Sequence, residues 1–95
     1  MKNKDNIQEK KFFEDEIVPE PRDLKSLVLH NDDIHTFEYV IHTLVRVCNH
    51  NLFQAEQCAY LVHFTGRCDV KKGSLELLRP IKNELINSGL IVSIE

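Results

Sequence analysis

The sequence predicts an α+β domain in the order β-α-α-β-α-β, with a small antiparallel three-stranded sheet packed against three helices. Two observations carry this prediction. Stripes of apolar residues at helical spacing alternate with short β-branched runs, and almost all of these periodic positions follow residue 23. With 95 residues, 42% of them apolar, the chain can bury one modest core. That length excludes most multidomain enzymes.

The first 23 residues differ in composition from the rest of the chain. They hold five basic and seven acidic side chains, include Pro19 and Pro21, and show neither helical nor strand periodicity. A segment of this kind cannot bury enough apolar surface to offset the entropy lost on ordering. We therefore predict a disordered extension over residues 1–23 and a folded domain over residues 24–95.

The domain is predicted to begin with a strand and a helix. Residues 24–30 are rich in aliphatic side chains and predict a short buried strand, which the polar residues 31–33 end. Thr36 is expected to cap a helix that stops at residues 49–51. Its apolar residues follow one another at helical offsets: Phe37, Val40, Ile41, Leu44, Val45 and Cys48.

A second helix and a second strand are predicted next. The helix runs from about residue 52 to His63, and Gly66 follows its end. Its inward residues are small and permit close approach of a neighbouring helix: Ala55, Cys58, Ala59 and Val62. Residues 67–72 predict an exposed, weak strand, because four of these six residues are charged.

The chain is predicted to end with a helix and a strand. Ser74 is a cap candidate for a helix over residues 74–88, and Gly89 suits the position after its end. The apolar stripe of this helix is Leu75, Leu78, Ile81 and Leu85. Pro80 removes one backbone hydrogen bond, so we expect a kink or a first turn that is not α-helical. Residues 90–94 alternate and predict the last strand.

Charge and hydropathy exclude several classes of partner. A net charge of −3 supplies no basic stripe of the kind that nucleic acid or anionic lipid requires. No apolar run approaches the roughly 20 residues of a membrane span, and the N-terminus is charged where a signal peptide is apolar. We expect a cytoplasmic, soluble protein without nucleic acid or membrane partners.

The cysteines and histidines are not spaced as metal ligands. The three cysteines are an odd number without a CxxC pair, and the five histidines form no HxH, HxxxH or HExxH pair. Buried cysteines in a reducing compartment, with no metal and no cofactor, are therefore expected. A cysteine paired with His63 lacks any third catalytic group, so an enzyme is not expected either.

Two positions nevertheless allow binding chemistry. Asn31, Asp32 and Asp33 lie just before a helix, where short acidic residues cap the helix or complement its dipole. The same three side chains, held between a strand and a helix, are also able to receive a cation or an ammonium group. His63 borders the apolar face of its helix, either as a partly buried histidine bonded to a carbonyl or as part of such a site.

These residues carry a resemblance to a known family. LVLHNDD at residues 27–33, followed by FEYVI at residues 37–41, resembles the pattern of the ClpS family, a strand ending in NDD before a helix that reads E-(F/Y)-V. The block from Gln54 to Gly66, with its VH-x-x-G ending, is similar to the family's second helix. Together the two blocks cover about 40 residues at matching separations.

The resemblance implies an adaptor rather than an enzyme. Such an adaptor binds proteins with a bulky hydrophobic N-terminal residue, an N-degron, and delivers them to an AAA+ unfoldase of the ClpA or ClpC type for degradation. The residues implied for the α-amino group are Asn31, Asp32 and His63. Those implied for the hydrophobic pocket and its mouth are Asp33, His35, Phe37, Val40, Ala59, Val62 and Leu90. Glu76 and Lys82 are implied for unfoldase docking.

One alternative remains open, and two of the departures from the family pattern concern the pocket. A domain with this fold could bind N-terminal residues or peptides without any unfoldase partner. Phe37 stands where the family commonly has methionine, and Ala59 stands where a larger residue is common. We therefore expect the pocket to differ in shape from the family norm.

Overall fold

The computed structural model describes residues 23–95, so residues 1–22 of the predicted extension lie outside the described part. Six elements follow one another in the predicted order β-α-α-β-α-β, which confirms the fold class. The strands are β1 (Lys25–His30), β2 (Arg67–Gly73) and β3 (Ile91–Ile94). The helices are α1 (Phe37–Cys48), α2 (Leu52–Thr65) and α3 (Leu75–Asn87).

The sheet places β1 in the centre, antiparallel to β2 on one side and to β3 on the other. At Leu29 the pairing reaches Cys68 on β2 and Val92 on β3. A register shift interrupts the β1–β2 pairing between Leu27 and Val28. The central strand therefore contributes its aliphatic side chains to the middle of the core.

The predicted weakness of β2 is wrong. The strand pairs with β1 along its whole length, and Cys68 and Val70 are buried while Arg67 and Asp69 are exposed. The charges that suggested weakness occupy the outward positions of an alternating strand. One face of β2 thus belongs to the core although most of its residues are polar.

The predicted capping residues lie at the helix ends, although α2 continues to Thr65, two residues beyond its predicted end. The Thr36 hydroxyl accepts a hydrogen bond from the Tyr39 N–H at 3.1 Å, and Ser74 does the same for the Leu77 N–H at 3.2 Å. Gly66 ends α2 with a φ of +95°, a conformation that suits a residue without a side chain. These local contacts fix the starts of α1 and α3 and the end of α2.

The core lies between the sheet and the three helices. Its buried members include Leu27, Leu29, Leu44, Ala55, Cys58, Val62, Val70, Leu78 and Leu85. Three residues of the predicted stripes are exposed instead: Phe37 at 36%, Val45 at 38% and Leu75 at 39%. Conversely, Thr43 on α1 is buried although it was not part of the predicted stripe.

Pro80 lies inside α3, which is α-helical from its first residue. The expected non-helical first turn is therefore absent. The Ser74 cap holds the start of the helix, and the fully buried Leu78 and Leu85 hold it against the core. Packing of these side chains overrides the local preference of a proline that is itself exposed.

All three cysteines are free and buried, as predicted from their spacing. Burial raises the pKa of the Cys48 thiol to about 11, so it stays protonated at neutral pH. Within residues 23–95, no group of three or more metal-ligating side chains comes together. None of the helices in that range has both the length and the apolar character needed to cross a membrane.

Candidate functional site

A cavity of about 220 Å³ opens where the C-terminal end of β1 meets the first turns of α1, the second half of α2 and the start of β3. The loop between β1 and α1 forms its rim. The residues around it are Leu29, His30, Asn31, Asp32, His35, Thr36, Phe37, Val40, Ala59, Val62, His63 and Leu90. Apolar side chains make its floor and polar groups make its edge.

The floor is built from residues that also belong to the core. Leu29, Val62 and Leu90 are buried, and Ala59 is 3% exposed. Ala59 offers one methyl group at a position where a longer side chain would occupy the cavity. The cavity therefore owes part of its volume to the small residue on α2.

The loop at residues 31–33 is tied to the end of α2. The backbone N–H of Asn31 donates to the carbonyl of Gly66 at 3.1 Å. The Asn31 side chain donates to the Asp33 carboxylate at 2.9 Å, and Asp33 has a φ of +60°, in the left-handed region. Asp33 is exposed and does not line the cavity, so its contribution is to hold Asn31.

Asp32 is the most constrained acidic residue at the rim. Its Oδ1 accepts hydrogen bonds from the N–H groups of Ile34 and His35, at 2.9 and 3.2 Å. Its Oδ2 lies 2.7 Å from His35 Nδ1. Burial alone would raise the pKa of Asp32, but the hydrogen bonds from Ile34 and His35 outweigh it and hold that pKa below the usual value. The carboxylate is therefore ionised at neutral pH.

His35 is held from two further sides. Its ring stacks on Tyr39 with centroids 4.7 Å apart, and the Tyr39 hydroxyl donates to the Ser88 carbonyl. A Cβ at Gly89, whose φ is +90°, would lie 3.1 Å from His35 Nε2. The imidazole thus fits between α1 and the turn before β3.

Aromatic rings frame the mouth of the cavity. Phe37 lies 5.2 Å from His63 and 5.3 Å from Tyr60, measured between ring centroids. Tyr60 stacks on Phe64 at 5.9 Å, and Phe64 is 71% exposed. Both Phe37 and His63 line the cavity, so the aromatic rings continue from the cavity onto the surface.

Most of the residues predicted for binding converge on this cavity. It brings together Asn31, Asp32, His35, Phe37, Val40, Ala59, Val62, His63 and Leu90. Three predicted residues lie elsewhere: Asp33 on the outside of the loop, and Glu76 and Lys82 on α3.

Three lining residues were not among the predicted site residues, namely Leu29, His30 and Thr36. Leu29 and Thr36 were assigned to the strand and to the helix cap, and both also face the cavity. The Nε2 of His30 forms a hydrogen bond with the Ser93 hydroxyl at 2.8 Å. Their proximity to NDD in sequence was the signal that could have identified them.

Comparison with known proteins identifies the family of the chain. The family described as "ATP-dependent Clp protease adaptor protein ClpS" matches residues 20–90 of the chain. The chain belongs to the ClpS family. The range of the ClpS match includes every residue that lines the cavity, as well as Glu76 and Lys82 on α3.

A solved ClpS structure has the same fold. It is that of Agrobacterium tumefaciens ClpS2 bound to L-phenylalaninamide, which superimposes with a TM-score of 0.73 at 20% sequence identity. The alignment covers 77% of this chain and 95% of that one. No curated protein has a significant match to the chain.

Proposed function

We propose that this ClpS domain binds the free N-terminus of proteins whose first residue is bulky and hydrophobic, and delivers them to a ClpA- or ClpC-type AAA+ unfoldase. The observation that carries the proposal is an apolar cavity with an ionised, immobilised carboxylate at its rim. The direct test is titration with a peptide that begins with Phe and with the same peptide after N-acetylation.

The rim offers the hydrogen-bond acceptors that an ammonium group needs. An ammonium has three N–H donors, and Asn31, Asp32 and His63 can supply an amide oxygen, a carboxylate and a neutral imidazole nitrogen. These three residues come from the loop and from α2, on different sides of the cavity. Such an arrangement favours a charged amine over an amide or a hydroxyl group.

The apolar floor would receive the first side chain. Burying one large apolar side chain contributes about 1.5–3 kcal/mol. Each hydrogen bond to a charged group contributes roughly 1.5–3 kcal/mol more. After the entropy of association is subtracted, we expect an affinity near micromolar, or about −8 kcal/mol. That affinity suits an adaptor that must release its substrate.

The ligand of the structurally similar ClpS2 supports this assignment. L-phenylalaninamide carries a free α-amine and a benzyl side chain, and its amide resembles the peptide bond after a first residue. The cavity described above combines an acidic rim with an apolar floor. We therefore extend the proposal to large aromatic and aliphatic first residues.

Delivery is proposed to use surfaces away from the cavity. Glu76 is exposed on the first turn of α3, and Lys82 follows six residues later. Neither lines the cavity, so an unfoldase docked on α3 would leave the peptide site open. Residues 1–23, predicted as an extended segment from their charge density, are proposed to be engaged by the unfoldase pore.

Removal of the N-terminal extension should separate binding from delivery. A truncated protein that starts at Leu24 should bind a Phe-initiated peptide with unchanged affinity, because the cavity is lined only by residues 29–90. It should fail to promote degradation of a model substrate by the unfoldase and its protease. Peptide binding measured by fluorescence anisotropy, beside a degradation assay, checks both statements.

Substitution on α3 provides the matched control for that experiment. Glu76→Ala in the full chain should keep peptide affinity and reduce degradation. Undiminished degradation by both the truncated protein and Glu76→Ala would show that neither residues 1–23 nor Glu76 is needed for delivery. Failure of the full-length wild-type protein to promote degradation would favour the alternative, a peptide-binding module without an unfoldase partner. Weaker peptide binding on truncation would contradict the boundary placed at residue 24.

A further inference from the structure

His35 occupies an unusual position in this cavity, since it contacts the carboxylate that is proposed to receive the amine. Its Nδ1 lies 2.7 Å from Asp32 Oδ2. The side chains of His35 and Asp32 are 23% and 10% exposed, so solvent has limited access to the pair. This contact links two residues within the six-residue loop between β1 and α1.

The hydrogen-bonding roles in this contact follow from the other partners of Asp32. Its Oδ1 already accepts from two backbone N–H groups, and an ionised carboxylate can only accept. His35 Nδ1 must therefore carry the proton and donate it to Oδ2. The neutral ring then has its proton on Nδ1, and its Nε2 lies beside Gly89, a residue without a side chain.

The count of acceptor sites shows what the contact leaves free. A carboxylate has about four lone-pair positions. Two backbone donors and one imidazole donor occupy three of them. The fourth position, on Oδ2, has no donor among these contacts. Because Asp32 lines the cavity, this position is available to an ammonium group bound there.

We infer that His35 is a positioning residue for amine recognition, whose Nδ1–H fixes the Asp32 carboxylate and reserves its last acceptor position for the substrate's ammonium group. This inference rests on the proposed function. His35 would then do more than line the cavity, because it would help the site to prefer a charged N-terminus over an uncharged one. Stacking on Tyr39 and the space beside Gly89 hold the ring in the orientation this role requires.

Two small ligands separate recognition of the amine from filling of the cavity. L-phenylalaninamide has the amine, whereas 3-phenylpropanamide has the same ring and amide without it. In the wild-type protein the first should bind more tightly. Dissociation constants by NMR titration cover both ligands, including weak binding by the second.

The variant His35→Leu keeps an apolar side chain of similar size and removes the donor. Its affinity for L-phenylalaninamide should fall about 10-fold. Mutating a residue that orients a metal ligand by a hydrogen bond lowers metal affinity by a similar factor. Its affinity for 3-phenylpropanamide should stay within about twofold of wild type. The variant His35→Asn, whose Nδ2 can take the place of the imidazole Nδ1, should restore most of the preference. His42→Leu, at an exposed histidine of α1, is the matched control and should change neither ligand.

The possible outcomes distinguish failure of the positioning role of His35 from failure of the proposed function. Equal loss of both ligands in His35→Leu, or no loss of either, would overturn the positioning role. Equal binding of the two ligands by the wild-type protein would overturn the proposed function itself.

If His35→Leu does not fold, ¹⁵N-histidine spectra of the wild-type protein provide a second test of the positioning role. A neutral ring protonated at Nδ1 whose signal responds to L-phenylalaninamide and not to 3-phenylpropanamide supports the role. Any other tautomer rejects it.

Discussion

Replacing Asp32 with alanine should weaken binding of a Phe-initiated peptide by about 10- to 150-fold, the equivalent of roughly 1.5–3 kcal/mol for a lost hydrogen bond to a charged group. Acetylating the peptide should weaken binding by the wild-type protein on the order of 100-fold or more. Acetylation removes the ammonium charge and so removes the substrate's charge-assisted hydrogen bond to the partly buried Asp32 carboxylate. Isothermal titration with the two peptides measures both effects.

Two further variants make this experiment specific. Asp32→Asn keeps an oxygen that can accept from the Ile34 and His35 N–H groups and removes the charge, so it tests the charge apart from the loop conformation. Asp33→Ala removes a neighbouring carboxylate that does not line the cavity and should cost far less affinity. Equal binding of free and acetylated peptides by the wild-type protein would show that the amine is not recognised.

Filling the cavity at Ala59 should change which first residues bind. Ala59 lies in the floor beside Val62, and Ala59→Met would place three additional heavy atoms into a volume of about 220 Å³. We expect wild-type affinities to decrease from aromatic first residues to Leu, with Ile and Val lowest. Ala59→Met should favour Leu relative to Trp by about 10- to 200-fold, the range that one methylene in an apolar pocket typically controls.

Phe37 accounts for the second half of that ranking. Its ring at the mouth, held against His63 and Tyr60, can contact an aromatic first residue for about 0.5–1.5 kcal/mol and crowds a β-branched one. Phe37→Ala should therefore admit Ile and Val. Competition titrations of five peptides that begin with Phe, Trp, Leu, Ile or Val measure the order. Gln57→Met, at an exposed site of α2, is the control.

A wild-type order with Leu first that Ala59→Met leaves unchanged would show that this wall does not face the ligand. The same change in order in Gln57→Met would assign the effect to the altered helix rather than to the cavity.

The features that the sequence predicted best depend on contacts close in the chain. The Thr36 and Ser74 caps and the Gly66 end of α2 were predicted because each involves a backbone group within four residues. The stability of β2 was misjudged because every second residue of this polar strand becomes buried only when the strand pairs with β1. Of the two outcomes predicted for Pro80, the non-helical first turn is absent, because buried leucines of the same helix hold that turn against the core.

The candidate site shows the same division. The proximity of Asn31 and Asp32 to His63 was implied by the ClpS resemblance, since spacing within the chain does not bring a loop to a helix 30 residues later. The contact between His35 and Asp32 spans three residues, yet its geometry depends on Gly89, which lies 54 residues from His35. No local pattern contains that information.

The hydrogen bond from the Asn31 N–H to the Gly66 carbonyl couples ligand binding to folding. It joins the strand end that presents the loop to the helix end that presents His63, so the acceptors converge only in the folded chain. A ligand that requires this convergence binds the native state alone and must stabilise it by mass action, by about 2.7 kcal/mol at a concentration 100 times the dissociation constant. Under the proposed function, abundant N-degron substrates would therefore protect the protein itself from unfolding, and a scarcity of them would leave it at its intrinsic stability.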